Sequence, residues 1–171
     1  MKAYYPLYRN ILVLFTTLLL TACSSAPVVP EPETVPVDLD ISTSDDINPD
    51  FENRASPIVI RIYQLTHIDT FDNNDFFTLY EKDQTVLAKD LLYREEIELT
   101  PGQKLSKKAF EINRKSKYIA VLAAYRDLDK SQWKSIITID PVNDLKPISI
   151  KLTKFEVTIQ TITKEEVPKQ E

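Results

Sequence analysis

The chain has 171 residues, with 21 Lys and Arg against 26 Asp and Glu, for a formal net charge of −5. An acidic balance argues against nucleic acid as a partner, because Lys and Arg must neutralise phosphates. Single Gly, His and Cys residues exclude a glycine-rich phosphate loop, a zinc site of His and Cys ligands and an internal disulfide.

A basic start, Lys2 and Arg9, precedes an apolar run from Ile11 to Leu20, and Leu20-Thr21-Ala22-Cys23-Ser24-Ser25 follows it. Basic start, short apolar run and small residues at a cut point form a secretory signal peptide over residues 1–22. The apolar run is too short to span a bilayer. Leu-Thr-Ala-Cys resembles a bacterial lipobox, which implies cleavage before Cys23, acyl chains on its thiol and its new amine, and a membrane anchor. Ser24 rather than Asp follows the cysteine, which by the same resemblance directs the product to the outer membrane. Removing residues 1–22 leaves 149 residues, enough for one domain with a core, and removes two cations and no acids, so 19 bases face 26 acids and the net charge becomes −7. No cofactor is expected beyond the covalent lipid on Cys23.

Residues 23–34 read as the lipidated cysteine and a Pro-rich tether, extended and semi-rigid, holding the domain roughly 30 Å from the lipid at about 3 Å per residue. The domain is expected over residues 35–163. Val35, Val37, Leu39 and Ile41 alternate with Pro36, Asp38, Asp40 and Ser42, the period of a strand with one buried face. A loop of turn formers and acids follows, Asp45-Asp46-Ile47-Asn48-Pro49-Asp50-Phe51-Glu52-Asn53. Residues 57–66 form the second strand, with Ile58, Ile60 and Ile62 on one face and Val59, Arg61, Tyr63 and Leu65 on the other.

The period then becomes helical. Phe71, Phe76, Leu79, Tyr80, Val86, Leu87 and Leu91 sit at helical spacings, and predict a helical insert over about residues 70–91. Asn73 or Asn74 is the expected cap of a helix holding Phe76 to Tyr80, and Asp83 of a second holding Val86 and Leu87. Strands resume at 92–99 and 107–113, joined by a Pro101-Gly102 turn; Ala109 suits a core position less well than Phe110 and Ile112. The unalternating run Tyr118 to Tyr125 predicts a central strand covered on both faces. Trp133 to Ile139 form another strand. Ile148, Ile150 and Leu152 are out of phase with Phe155, Val157 and Ile159, so Thr153-Lys154 is a tight turn or a bulge, and a turn fits better. The tail 164–171 is expected to fray. About eight short strands without a βαβ rhythm predict a mainly β fold, a two-layer antiparallel sandwich with a small helical insert.

Candidate catalytic groups do not assemble from these residues. Thr66, His67 and Asp69 are too close along the chain for a triad, since neighbours on a strand point to opposite faces. Glu95 and Glu96 diverge for the same reason, and Asp45 and Asp46 lie in a loop. Arg126 beside Asp127 suggests a structural ion pair, and Tyr63 and Trp133 suit core or edge positions. The expected protein is not an enzyme and has no small-molecule substrate. The residues alone leave open a periplasmic sandwich-type binding module, or a pilotin or chaperone lipoprotein of some envelope machine.

Pro57-Ile58-Val59-Ile60-Arg61-Ile62-Tyr63-Gln64-Leu65 resembles the signature strand of the outer-membrane lipoproteins of type VI secretion systems, the TssJ type. The resemblance continues through Phe71, Asp75-Phe76-Phe77-Thr78-Leu79-Tyr80, Pro101-Gly102, Val121-Leu122-Ala123-Ala124-Tyr125-Arg126-Asp127 and Trp133, and takes in Asn48-Pro49 and the lipobox. One departure is Lys134, where the family often has Arg, which keeps the charge and loses the fork geometry. The resemblance implies a transthyretin-like sandwich, tethered to the inner leaflet of the outer membrane and facing the periplasm. It further implies binding to the periplasmic C-terminal part of the large inner-membrane component of the same machine. The loop between the first two strands, residues 44–56, is the implied contact, with Asp45, Asp46, Ile47, Asn48, Pro49, Asp50, Phe51 and Glu52 as candidate binding residues. Asp45, Asp46, Asp50 and Glu52 would steer a basic partner, and Ile47 and Phe51 would serve as apolar anchors.

Overall fold

A computed structural model describes residues 32–162. The signal segment, Cys23, most of the tether and the tail from residue 163 lie outside the described residues. Eight strands and two helical pieces follow in the order β1 (Thr34–Thr43), β2 (Ile58–Leu65), α1 (Asp69–Asp72), α2 (Phe76–Val86), β3 (Leu91–Leu99), β4 (Lys104–Asn113), β5 (Tyr118–Ala123), β6 (Lys134–Thr138), β7 (Ile148–Leu152) and β8 (Val157–Thr161). They form two four-stranded sheets, β4-β1-β7-β8 and β3-β2-β5-β6.

The alternation in β1 places Val37, Leu39 and Ile41 in the core between the sheets, where they meet Ile58, Ile60 and Ile62 of β2, Ile119 and Val121 of β5, and Ile148 and Ile150 of β7. Burying each such side chain contributes about 1.5–3 kcal/mol before entropy is counted. β5 is covered on both faces. Its Ile119, Val121 and Ala123 face this core. Ala120 and Leu122 join Tyr63, Leu65, Phe71, Leu79 and Leu87 in a second cluster beneath the helical insert.

The pairing is antiparallel except at β1 and β7, which run parallel from Leu39 opposite Ile148 to Thr43 opposite Leu152. A purely antiparallel sandwich therefore gives way at one pair. The two strands are separated by the whole second sheet, so no local period reports their relative direction. The β7–β8 connection is a turn and not a bulge: Leu152 pairs Val157, and Thr153 N–H donates to Glu156 O at 2.8 Å.

β4 begins at Lys104, three residues earlier than its sequence suggests. The pairing with β1 slips between Val37 and Leu39, so that Lys108 and Ala109 both lie opposite Asp38, and Ala109 takes φ 54°. This bulge hides the alternation of Leu105 with Phe110 and explains why Ala109 fitted the core poorly. On one side the sheets are stitched together: Gln132 N–H donates to Phe155 O at 2.8 Å and Val157 N–H to Gln132 O at 3.0 Å. On the other, β3 and β4 are open edges, and the bulge with Lys104, Lys107 and Lys108 discourages edge-to-edge pairing.

The caps of the insert differ from expectation. Asp75 caps α2, its side chain accepting from Thr78 N–H at 3.0 Å. Asn73 and Asn74 turn back to close α1, donating to Asp69 O at 2.8 Å and Thr70 O at 2.6 Å. α2 breaks at Lys82, which has φ −133° and ψ 20°, one residue before the expected second cap at Asp83.

Candidate partner-binding site

The loop from β1 to β2 divides into a buried and an exposed half. Ile47 has no exposed surface and belongs to the main core. Its expected role as a surface anchor is therefore corrected: an isoleucine surrounded by Ile58 and the other core residues cannot face a partner. Asn48 is also buried. Its Nδ2 donates to Pro57 O at 2.7 Å, and its Oδ1 accepts from Arg126 N–H at 2.8 Å. With φ 46° it adopts the left-handed conformation that Asn tolerates. Pro49 is buried beside it. These three residues hold the loop against the sandwich.

The exposed half carries Asp45, Asp46, Phe51 and Glu52. Asp50 organises the tip: its carboxylate accepts from Glu52 N–H at 2.9 Å, Arg54 N–H at 3.0 Å and Arg54 Nε at 2.9 Å. The Arg54 backbone bond foremost, with the Arg54 side chain and the Glu52 backbone adding to it, holds this carboxyl below the usual carboxylate range. The tip is thus a closed turn, and Phe51 stands out from it with 93% of its surface exposed.

The β3–β4 turn fixes Asp45. Thr43 Oγ1 donates to Thr100 O at 2.7 Å and accepts from Gln103 N–H at 2.8 Å. Gly102, at φ 70°, donates its N–H to Ser44 O at 3.2 Å. A Cβ on Gly102 would lie 2.4 Å from Asp45 Oδ1. Gly102→Ala is expected to destabilise the domain by about 1–2 kcal/mol through the left-handed backbone alone, and to displace Asp45 as well. Urea unfolding would measure the first effect, and an undiminished midpoint would refute it.

Beside the tip lies a groove of about 840 Å³, lined by Phe51, Phe77 of α2, Arg126, Asp127, Lys130 and Phe155 among others. Phe77 is 61% exposed. Its neighbour Phe76 turns inward, stacked 5.2 Å from Tyr80 and edge-on to Trp133 at 5.4 Å. Two consecutive helical residues cannot share one face, so Phe76 in the core forces Phe77 outward. Phe77 and Phe155 were not among the expected binding residues; the adjacent pair Phe76-Phe77 was the available signal for the first. Asp127 pairs with Lys130 at 2.7 Å and not with Arg126.

Charged groups under the insert fasten α2, the helix that carries Phe77, at Tyr80 and Asp83. Asp83 Oδ2 accepts from Arg61 at 3.2 Å, Arg94 at 2.7 Å and the Tyr63 hydroxyl at 3.0 Å. Arg61 also donates to Tyr80 O at 2.5 Å and to Glu96 at 2.7 Å. The Arg61 hydrogen bond holds the Glu96 carboxyl below its ordinary value, and burial, with Asp83 beside it, pushes the Tyr63 hydroxyl up. Glu95, one residue along, faces the other way to Lys107. Lys134 reaches Asp72 and joins β6 to α1.

The single histidine does not meet Asp69. His67 Nδ1 lies 3.0 Å from Asp90 Oδ1 and 3.1 Å from Thr66 Oγ1, and Thr66 Oγ1 donates to the same Asp90 oxygen at 3.2 Å. A nucleophile–base–acid relay places the hydroxyl and the acid on opposite ring nitrogens; here both sit at Nδ1. Among the described residues no group of three or more His, Cys, Asp and Glu is arranged to hold a metal ion.

The fold is a two-sheet β-sandwich, closed along one side, that presents an acidic loop and exposed aromatic rings at one end. The chain belongs to the type VI secretion lipoproteins (VasD, EvfM, TssJ), whose family model matches residues 35–160. It is accordingly an outer-membrane-bound structural lipoprotein of the type VI secretion membrane complex, and not an enzyme. Among solved structures, it is similar to the T6SS lipoprotein TssJ1 of Pseudomonas aeruginosa, with TM-score 0.66 and 24% identity over 75% of this chain and 98% of that one. Similar again is Serratia marcescens Lip, a membrane-bound component of the type VI secretion system, with TM-score 0.63 and 25% identity over 77% and 98%. A chain in a structure described as the T6SS protein TssM C-terminal domain from EAEC gives TM-score 0.62 and 25% identity over 72% and 99%. No curated protein sequence matches the chain.

Proposed function

We propose that the chain is cut before Cys23, is acylated there, and binds the periplasmic part of the large inner-membrane component through the exposed half of the β1–β2 loop. The observation that carries this reading is Phe51, 93% exposed on a tip that Asp50 closes into a fixed turn. An aromatic ring held out from a rigid support loses little entropy on docking, which is the usual character of an interface anchor. Asp45 and Asp46, exposed earlier on the same loop, add negative charge that speeds encounter with a basic surface, while Glu52 is paired with Arg54 at 3.1 Å. A similar chain occurs in the structure described as the TssM C-terminal domain from EAEC, which supports the same partner.

The test uses the mature chain and the purified periplasmic part of the inner-membrane protein. Phe51→Ala is expected to weaken binding by at least about 30-fold, the factor of a 2 kcal/mol anchor. Reversing Asp45 and Asp46 to Lys is expected to slow association about tenfold, an effect that fades as salt rises. Folded variants that bind as the unaltered chain does would remove the loop from the interface.

A further inference from the structure

We infer that the opposite end of the sandwich, built from residues 114–117 and 139–147, rests against the anionic phospholipid headgroups of the membrane that holds the chain. The inference rests on the proposed acylation of Cys23. β1 runs from the chain's point of arrival, Thr34, to Thr43 beside the partner-binding loop, so the two ends are separated by about 30 Å at 3.3 Å per residue. Glu33 is held at the first end, its carbonyl accepting from Arg114 N–H at 2.9 Å. Nine residues lie between Cys23 and Glu33. A tether of that length spans at most about 30 Å when extended, which lets this end come down onto the bilayer at an effective concentration on the order of millimolar.

The chemistry of this end suits a headgroup layer. Arg114, Lys115, Lys117, Pro141 and Val142 line one shallow groove of about 650 Å³, and Ile139 N–H donates to Lys117 O at 2.9 Å, joining the turn to the loop. Lys115 and Lys117 are exposed, and neither has a carboxylate within ion-pair distance among the described residues. Val142 is 60% exposed beside them. Glu33 is exposed at this end, and the other two acids, Asp140 and Asp144, are held in local bonds, so the four cations Arg114, Lys115, Lys117 and Lys146 face three acids. Asp140 accepts from Val142 N–H at 3.1 Å, Asn143 N–H at 3.0 Å and Asn143 Nδ2 at 2.9 Å, and Asp144 pairs with Lys146 at 2.9 Å. Exposed lysines around a protruding apolar side chain are the combination that settles at an anionic interface. These lysines lie where the tether arrives, beside the Arg114 N–H that holds Glu33. In this orientation the acidic loop points away from the membrane, toward the periplasm.

The experiment reconstitutes the acylated mature chain in vesicles of phosphatidylethanolamine and phosphatidylglycerol containing a nitroxide-headgroup lipid. With Cys23 acylated, Val142→Cys supplies a single free thiol for a fluorophore, and Asp129→Cys supplies one at the far end. The Val142 label is expected to be quenched severalfold more than the Asp129 label. Lys115→Glu with Lys117→Glu, or high salt, is expected to reduce that quenching. Equal quenching of the two labels on protein that floats with the vesicles would overturn the orientation and leave the anchor standing. Quenching unchanged by charge reversal would overturn the headgroup contact. Protein that does not float would overturn the anchor and this inference together.

Discussion

With Cys23 replaced by Ser, the chain is expected to lose its membrane attachment and secretion to stop, while fold and partner affinity remain those of the unaltered protein. Nothing else among the described residues substitutes for the lipid. The described residues contain no helix long and apolar enough to cross a membrane, and an electrostatic patch of two exposed lysines is a weak hold in physiological salt. A single acyl chain gives only marginal, reversible binding, with an association constant of about 10⁴ M⁻¹, and two or more fix a protein firmly; a serine carries none. The fold should not register the change, because Cys23 lies well before Thr34 and the core begins at Val37. The loop that carries Asp45 and Phe51 is supported by Gly102, Thr43, Pro57 and Arg126, none of which depends on the N-terminal segment. Fractionation would show the variant moving from the membrane to the soluble periplasm, its thermal unfolding would match the parent, and a secretion assay would read the loss. Full secretion by a soluble variant would show that the anchor is dispensable, and the protein would then be a binding partner without a mechanical role.

The residues that made the fold legible are those whose neighbours along the chain are also their structural context. The alternation from Val35 to Ile41 is the burial pattern of β1, and the unalternating run from Tyr118 requires cover on both faces, which the helical insert and β1's sheet provide. Legibility fails where a residue's fate depends on partners far along the chain. Ile47 and Phe51 look alike in an acidic loop, yet one fills the core and the other stands in solvent, because Asn48 is fastened by Pro57 and Arg126. Asn73, Asn74 and Asp75 are all good cap residues, and only the path of the chain leaves the first two to close α1 and the third to open α2. The direction of β7 against β1, and the meeting of His67 with Asp90, are of the same kind. The position of this loop between β1 and β2 is thus legible in the chain, while its division into a structural and an exposed half is not accessible from the order of residues.

Removing the Asp83 carboxylate, as in Asp83→Ala, is expected to destabilise the domain by about 3–5 kcal/mol, because it leaves the buried side of the Arg61 guanidinium without a carboxylate under the helical insert. Asp83 and Arg61 are buried, and one carboxylate oxygen of Asp83 serves Arg61, Arg94 and the Tyr63 hydroxyl together. Glu96 still touches both arginines, at 2.7 and 2.8 Å, but it is nearer to solvent and cannot reach the buried side of Arg61. The penalty is therefore one of unpaired buried charge and not of a lost contact, which yields a second expectation. Asp83→Leu combined with Arg61→Met and Arg94→Met, which replaces the ionic group by apolar volume, should recover most of the loss, whereas each single change should not. Urea unfolding of the parent, Asp83→Ala, the triple variant and its three single changes measures both statements. A cost below about 1 kcal/mol for Asp83→Ala would mean that water relieves the arginines and that the network is no more than a surface ion pair. The network also links stability to the binding end. It fastens the strand pair β2–β3 to the segment between Tyr80 and Asp83, and the same helix carries Phe77 into the groove beside Phe51. In Asp83→Ala, hydrogen exchange should therefore rise first along α2, and any contact that Phe77 makes with a partner should weaken before those of Asp45 and Asp46, which follow Ser44, itself tied to the β3–β4 turn by Gly102.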